Sequence, residues 1–400
     1  MATLNPASLL HRAGLFSTIP NAIARTAGAM HLARATVARE PAPVAPSPAD
    51  VIHVIGAARL LRYRRHAEAP TGVVKAPILL SPSLINRLYV LDLKAGISVV
   101  EQFLKAGHPV YGIDWGDPGE AEAGVSFEGF VQRLADFLAT ACDDASVESM
   151  TLLGHCLGGT MAAALAATAP THIKSLVLLT APLTFHDKSL LSAWSRAPFV
   201  DPKDLTRLVG HVPAWITQPT FQALKPMGQA TKALRLWQSL GNPTFLEFFR
   251  CLETWINDNV AIPDAFFEDL ISELYRKDAL NLGTLRFKNG PVILEDIEVP
   301  TLTIAASEDH IVPPASAVAP TRRFASTVNR QEVLDGGHIG VVVGSVARRV
   351  LWPLLLSWLD EQGTRPLATA ASSSSSTPTP TSPTPTSSKA KAKAQASTPN

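Results

Sequence analysis

The six residues Gly154-His155-Cys156-Leu157-Gly158-Gly159 follow the apolar run Met150-Thr151-Leu152-Leu153 and open an alanine-rich stretch that reaches Ala169. A buried strand, a sharp turn and a small-residue helix form the setting of a nucleophile elbow, here with Cys where Ser is usual. The glycines suit a turn that forces the nucleophile into a strained backbone conformation, where neighbouring side chains would clash. The first turn of the helix points backbone N–H groups and a partial positive charge at the thiol. Both favour a thiolate and, later, an oxyanion. Taken alone, a buried structural cysteine on a glycine-rich turn accounts for the same residues equally well.

The organisation of the chain narrows the choice. Between about Val51 and Gly363 short apolar runs alternate with helical patterns. Strands are expected at Pro77 to Leu80, Pro109 to Ile113, Met150 to Leu153, Leu176 to Leu179, Pro300 to Ala305 and Gln331 to Leu334. Helices are expected at Ile97 to Lys105, Phe127 to Cys142, Gly159 to Ala169 and Ala347 to Leu359. Such alternation makes βαβ units and a mostly parallel sheet with helices on both faces. The fold class is α/β, and 46% hydrophobic residues can fill a sizeable core. From Leu183 to Asp296 the pattern breaks into leucine, proline and aromatics such as Trp194, Trp215, Trp237 and Trp255. So long an interval cannot be a structureless loop in a compact domain; it is expected to be a helical cap over the carboxyl ends of the strands. The expected divisions are an N-terminal segment and Pro/Ala linker at 1–50, a core at 51–182 and 297–363, a cap at 183–296 and a disordered tail at 364–400.

Charge separates the body from its ends. Residues 1–39 hold four arginines and no acid, and residues 366–400 hold three lysines and no acid, which leaves 28 basic against 34 acidic residues between them, a net −6. A mildly acidic body without a basic stripe argues against nucleic acid as a partner. The Arg-bearing N-terminus fits a helix lying on its own protein, an amphipathic surface-binding helix or a transit peptide. The Ser/Thr/Pro/Lys tail reads as solvated and disordered. Three cysteines with no C-x-x-C pair make neither a disulfide framework nor a zinc site, so a reducing compartment and no metal are expected. No apolar run is long enough for a transmembrane segment, and no secretory signal is apparent.

A cysteine nucleophile needs a base and an acid, which in an α/β-hydrolase follow it in the order acid, then base. Ser307-Glu308-Asp309-His310 follows the strand ending at Ala305, and Gly336-Gly337-His338 follows the strand ending near Leu334. Both lie where α/β sheets build sites, at carboxyl strand ends. Glu308 and Asp309 compete for the acid; His338, after a Gly-Gly turn, stands out among eleven histidines as the base. His310 reads as structural, His155 as a neighbour of the nucleophile, and His108, His172, His186 and His211 have no motif context.

Together these residues resemble the polyhydroxyalkanoate (PHA) synthases, enzymes of the α/β-hydrolase superfamily that form the polyester of bacterial storage granules. The resemblance rests on the cysteine elbow, Asp309-His310-Ile311-Val312-Pro313 and Gly336-Gly337-His338-Ile339-Gly340. It extends through Pro82-Ser83-Leu84-Ile85-Asn86-Arg87 with Tyr89, Leu91-Asp92-Leu93, Ile113-Asp114-Trp115-Gly116, Trp255 with Asp258, Leu274-Tyr275 and Gly283. It covers roughly residues 55 to 360 and is most similar to the short class that works with a small companion subunit (class III). It favours Asp309 over Glu308. It implies an acyltransferase that polymerises (R)-3-hydroxyacyl-CoA, with 3-hydroxybutyryl-CoA the expected monomer, through an acyl-cysteine on Cys156 with His338 as base. Asp309 would orient His338 or assist the substrate hydroxyl, and backbone N–H groups of Leu157 and Ile85 would hold the oxyanion.

No cofactor is implied, since the CoA thioester is the substrate. Expected partners are the growing polyester and its granule surface in the cytoplasm, a small companion subunit and a second copy of the chain. The two appendages depart from the family pattern. A thioesterase or esterase using the same cysteine is the alternative, and a non-catalytic granule scaffold a third reading. The low charged fraction, 17%, also predicts an exposed apolar patch around the cap.

Overall fold

Adjacent residues of a strand face opposite ways, which explains why the central runs are apolar throughout. Leu79, Leu152 and Leu176 enter one buried cluster and Leu80, Leu153 and Val177 the other, each fully or almost fully buried. The sheet is therefore covered on both faces. The structure is a computed structural model that describes residues 42–197, 201–224, 228–362 and 364–366. The helix expected within residues 1–39 and the tail from 367 onward lie outside the described residues.

Eight strands make the main sheet: β1 (Ala49–Ile55), β2 (Ala58–Tyr63), β3 (Ile78–Ser81), β4 (Val110–Asp114), β5 (Met150–His155), β6 (Ile173–Leu179), β7 (Thr301–Ala306) and β8 (Asn329–Leu334). Their order is β1-β2-β4-β3-β5-β6-β7-β8. From β4 to β8 every pairing is parallel; β1 and β2 form an antiparallel hairpin joined to β4. That hairpin is not among the strands expected from sequence, because its exposed face interleaves polar residues with the apolar ones. Helices α1 (Val99–Lys105) and α2 (Phe127–Ala145), with α3 (Leu157–Thr168) after the elbow, pack on the sheet. Phe127, Phe130 and Phe137 of α2 join the first cluster, and Phe103 of α1 the second.

Several expected boundaries move for local reasons. Helix α1 begins at Val99 rather than Ile97, because Ile97–Ser98 pairs with Asp92–Lys94 and Ser98 caps the helix by accepting the Glu101 N–H at 2.8 Å. Helix α2 runs on to Ala145 and stops where Ser146 turns left-handed at φ 53°. Strand β6 starts at Ile173, not Leu176, and β8 at Asn329, not Gln331. Regular structure also passes the expected end of the core at 363, since Thr364–Pro366 pairs antiparallel with Val73–Lys75.

Among the described residues between β6 and β7 lie six α-helices: α4 (Leu190–Arg196), α5 (Pro202–Val209), α6 (Ala214–Ala223), α7 (Gly228–Gln238), α8 (Pro243–Asn257) and α9 (Asp264–Asp269). The last continues into a π-helical turn, Leu270–Arg276, followed by a two-residue hairpin of Arg286–Phe287 with Gly290–Pro291. Leu208, Trp215, Leu234 and Trp237, on these helices, stand 56–84% exposed, so the cap presents an apolar surface. After β8 the final helix, α10 (Trp352–Glu361), buries Trp358 against the second cluster. Among the described residues no helix is long and apolar enough to cross a membrane.

Candidate active site

Cys156 sits between β5 and α3 at φ 54° and ψ −128°, a left-handed backbone that a side chain other than glycine adopts only under strain. The surroundings hold it there. A Cβ on Gly158 would stand 2.1 Å from the Ser81 carbonyl oxygen, and one on Gly154 2.4 Å from the Gly159 Cα. Only glycines let the elbow close on itself and on the loop after β3. Cys156 donates its backbone N–H to the Leu179 carbonyl at 3.0 Å, and its own carbonyl accepts from Gly159 at 2.8 Å. As the first residue of α3, Leu157 has no intrahelical partner for its N–H.

Asp309 follows β7 and His338 follows β8. The two loops are laced together where Ser307 N–H meets the Leu334 carbonyl and Glu308 N–H the Gly336 carbonyl, both at 2.8 Å. This brings Asp309 Oδ2 to 2.6 Å from His338 Nδ1, with the carboxylate fully buried. Asp309 Oδ1 accepts the N–H groups of Ile311 at 2.9 Å and Val312 at 2.8 Å. Glu308, the rival acid, is exposed and engages through its backbone.

The His338 imidazole lies within electrostatic reach of Cys156. Burial on its own would lower the affinity of the imidazole for a proton, but the negative charges of Cys156 and Asp309 outweigh it and push the pKa up to about 10. A base so placed is able to hold a proton taken from the thiol. His155, set aside in the sequence as a neighbour, is buried with its ring 5.5 Å from that of His338, tilted by 37°. Burial, then repulsion from His338, lowers its pKa to about 3, so it stays neutral.

A cavity of about 360 Å³ reaches Cys156 from the cap. Ile85, Leu157, Trp194, Phe221, Ile262 and Tyr275 are among its lining, which is mostly apolar. The oxyanion residues expected from sequence, Leu157 and Ile85, thus share one cavity with the nucleophile. Neither backbone N–H donates a hydrogen bond among the described residues. The cap side chains on this wall had no spacing signal to mark them, because a lining assembled from separate short helices has no common period. Burial, with Cys156 and Asp187 nearby, raises the Tyr275 pKa and keeps its hydroxyl protonated. A second cavity, about 690 Å³, adjoins Asp309 and gathers His186, Lys188 and His310. Among the described residues no group of three or more His, Cys, Asp or Glu side chains could hold a metal ion.

A family profile described as the alpha/beta hydrolase fold matches residues 77–345. The chain is 32% identical over 326 residues to the poly(3-hydroxyalkanoate) polymerase subunit PhaC of Haloferax mediterranei, a match covering 80% of this chain and 65% of that one. It is 30% identical over 328 residues to the protein of the same name from Haloarcula marismortui, covering 80% and 69%. With the one from Allochromatium vinosum it shares 30% over 322 residues, covering 79% and 89%. The profile match spans the elbow, the Asp309 and His338 loops and the cap, and the chain belongs to the α/β-hydrolase fold and, within it, to the poly(3-hydroxyalkanoate) polymerase family.

Proposed function

We propose that polyester synthesis by this chain runs through a covalent acyl-cysteine on Cys156, with (R)-3-hydroxybutyryl-CoA as the monomer. The observation that carries this reading is the buried Asp309–His338 pair, 2.6 Å apart, within electrostatic reach of a cysteine on a strained elbow. His338 Nε2 takes the Cys156 proton and the thiolate attacks the thioester carbonyl. The Leu157 and Ile85 N–H groups receive the oxyanion. Its collapse breaks the C–S bond to coenzyme A, whose thiolate leaves with the proton from His338. A hydroxyl of another acyl unit then gives its proton to His338 and attacks the acyl-cysteine. A new ester bond forms and Cys156 recovers its proton.

Both oxygens of Asp309 are engaged, which supports a role in orienting His338 rather than in meeting the substrate hydroxyl. The reaction draws on no cofactor, the coenzyme A thioester being its substrate. Lys188 lines the cavity beside Asp309, with Asp187 in the same lining, and is the side chain we assign to a coenzyme A phosphate. The exposed apolar side chains of the cap favour contact with polyester at a cytoplasmic granule. A small companion subunit and a second copy of the chain complete the expected assembly.

The test is the product. Purified chain, with and without a companion subunit, given 3-hydroxybutyryl-CoA should release coenzyme A and form polymer, and Cys156→Ala should form none. Free 3-hydroxybutyrate with no polymer under either condition would identify a thioesterase instead.

A further inference from the structure

Three residues after β3 are matched, one to one and antiparallel, by three residues after the cap helix α8. The Ile85 carbonyl accepts the Val260 N–H at 3.2 Å. Asn86 forms a backbone bridge with Asn259, and its Nδ2 donates to Asn259 Oδ1 at 2.7 Å. Arg87 Nε donates to Asp258 Oδ1 at 3.0 Å, and Tyr89 Oη donates to Asp258 Oδ2 at 2.9 Å. Trp255 closes the contact by donating from Nε1 to the Arg87 carbonyl at 2.9 Å. None of these groups takes part in the bond-making steps, although most belong to the motifs that mark the family.

What they hold is the backbone of the oxyanion loop. Ile85 has its carbonyl tied to the cap and its N–H left undonated among the described residues. The Ile85 N–H lies in the amide plane it shares with the Leu84 carbonyl, and only the φ and ψ of Ile85 separate that plane from the one holding its own carbonyl, so anchoring the Ile85 carbonyl limits how far the N–H can turn. On its other flank the cap strand is tied again, where Ile262 and Val212 exchange backbone hydrogen bonds at 2.8 Å in both directions, and both of those residues line the Cys156 cavity. The wall of the cavity and the oxyanion loop are therefore one connected backbone strap.

We propose that Asp258, Asn259 and Val260 are positioning residues that set the Ile85 N–H for the oxyanion, so that the cap, and not the hydrolase core alone, completes the catalytic geometry. The inference rests on acyl transfer through Cys156 as described above. An oxyanion donor matters only for steps that pass through a tetrahedral intermediate. Alkylation of the same thiolate by iodoacetamide has no such intermediate, yet it reports the thiolate and the His338–Asp309 pair.

The experiment compares the two reactions in the full chain. Single-turnover acylation of Cys156 is followed by mass spectrometry with 3-hydroxybutyryl-CoA and, separately, with p-nitrophenyl acetate, and iodoacetamide alkylation is timed alongside. Asn259→Ala and Asp258→Ala should each slow acylation by roughly tenfold to a hundredfold, less than the outright loss of an oxyanion donor, and leave alkylation within about twofold. Asp258→Asn, which keeps an acceptor for Arg87, should recover most of the loss. Unchanged acylation in both alanine variants overturns the proposal, as does a parallel fall in acylation and alkylation, which marks a general loosening of the site. Wild-type chain acylated by p-nitrophenyl acetate but not by the thioester would overturn the substrate reading and leave the strap comparison readable. Cys156 acylated by neither would overturn both.

Discussion

Asp309 and His338 are bound through Oδ2 and Nδ1 at 2.6 Å, while Asp309 Oδ1 is held by two backbone N–H groups of its own loop. The pair fixes the imidazole tautomer, so that Nε2 is the nitrogen left for Cys156 and for the attacking hydroxyl. Asp309→Asn keeps the volume and removes the charge. Turnover to polymer should fall by roughly a hundredfold to ten-thousandfold, the range of a general base losing its efficiency, and iodoacetamide alkylation near neutral pH should slow as well.

The same substitution has a signature in stability. The His338 pKa of about 10 in the folded chain lies above its ordinary 6.5. A group that binds its proton more tightly when folded stabilises the fold below the lower value, and this contribution is lost as pH rises through the higher one. Asp309→Asn removes one of the charges that raise His338. Its Tm deficit against wild type should be greatest below about pH 6.5 and should narrow as pH climbs to about 10, read by thermal melts across the range.

His155 carries the opposite sign. Its folded pKa is about 3 against 6.5 unfolded, so its contribution is intact above about 6.5 and is lost progressively as pH falls toward 3. Neither ring nitrogen has a hydrogen-bond partner among the described residues. His155→Leu removes the titration. Whatever its offset at neutral pH, the variant should lose less Tm than wild type between about pH 6.5 and 4.

How much of this was legible in the sequence depends on the range over which each feature is encoded. The elbow is local: Gly154, Gly158 and Gly159 announce a turn in which any Cβ collides. The Asp309 and His338 loops were legible because each directly follows an apolar run that a parallel sheet requires. The choice between Glu308 and Asp309 was not, since it turns on which side chain faces inward after β7, and only the resemblance tipped it. The β1–β2 hairpin escaped because polar residues are interleaved with apolar ones along it, and the partnership of residues 85–87 with 258–260 because it joins segments far apart in the chain. Burial of His155 against His338 is likewise a tertiary fact.

Gly158 tests the elbow directly. In Gly158→Ala the new Cβ would meet the backbone oxygens of Ser81 at 2.1 Å and Pro82 at 2.4 Å, and backbone cannot swing aside as a side chain can. The loop bearing Ile85 must move away from Cys156. A loss of about 1–3 kcal/mol in stability is expected from the overpacking, seen as a Tm lowered by several degrees. Acylation of Cys156 should fall further than the folded fraction does, and equal losses in the two would place the strain elsewhere.

The cap decides what reaches the acyl-cysteine. Trp194 lines the Cys156 cavity and is also 42% exposed, so its ring spans the wall between the site and solvent. An acyl-enzyme that waits for an alcohol must be kept from water. Trp194→Ala thins the wall without touching Cys156, Asp309 or His338. Release of coenzyme A should continue, while the product shifts from polymer toward free 3-hydroxybutyrate. Each 1.4 kcal/mol removed from the barrier to water is worth about tenfold, and a roughly threefold to tenfold rise in the ratio of free acid to polymer is expected, measured by chromatography of the products at equal coenzyme A release. An unchanged ratio would mean that water is excluded by the polyester itself and not by this part of the cap.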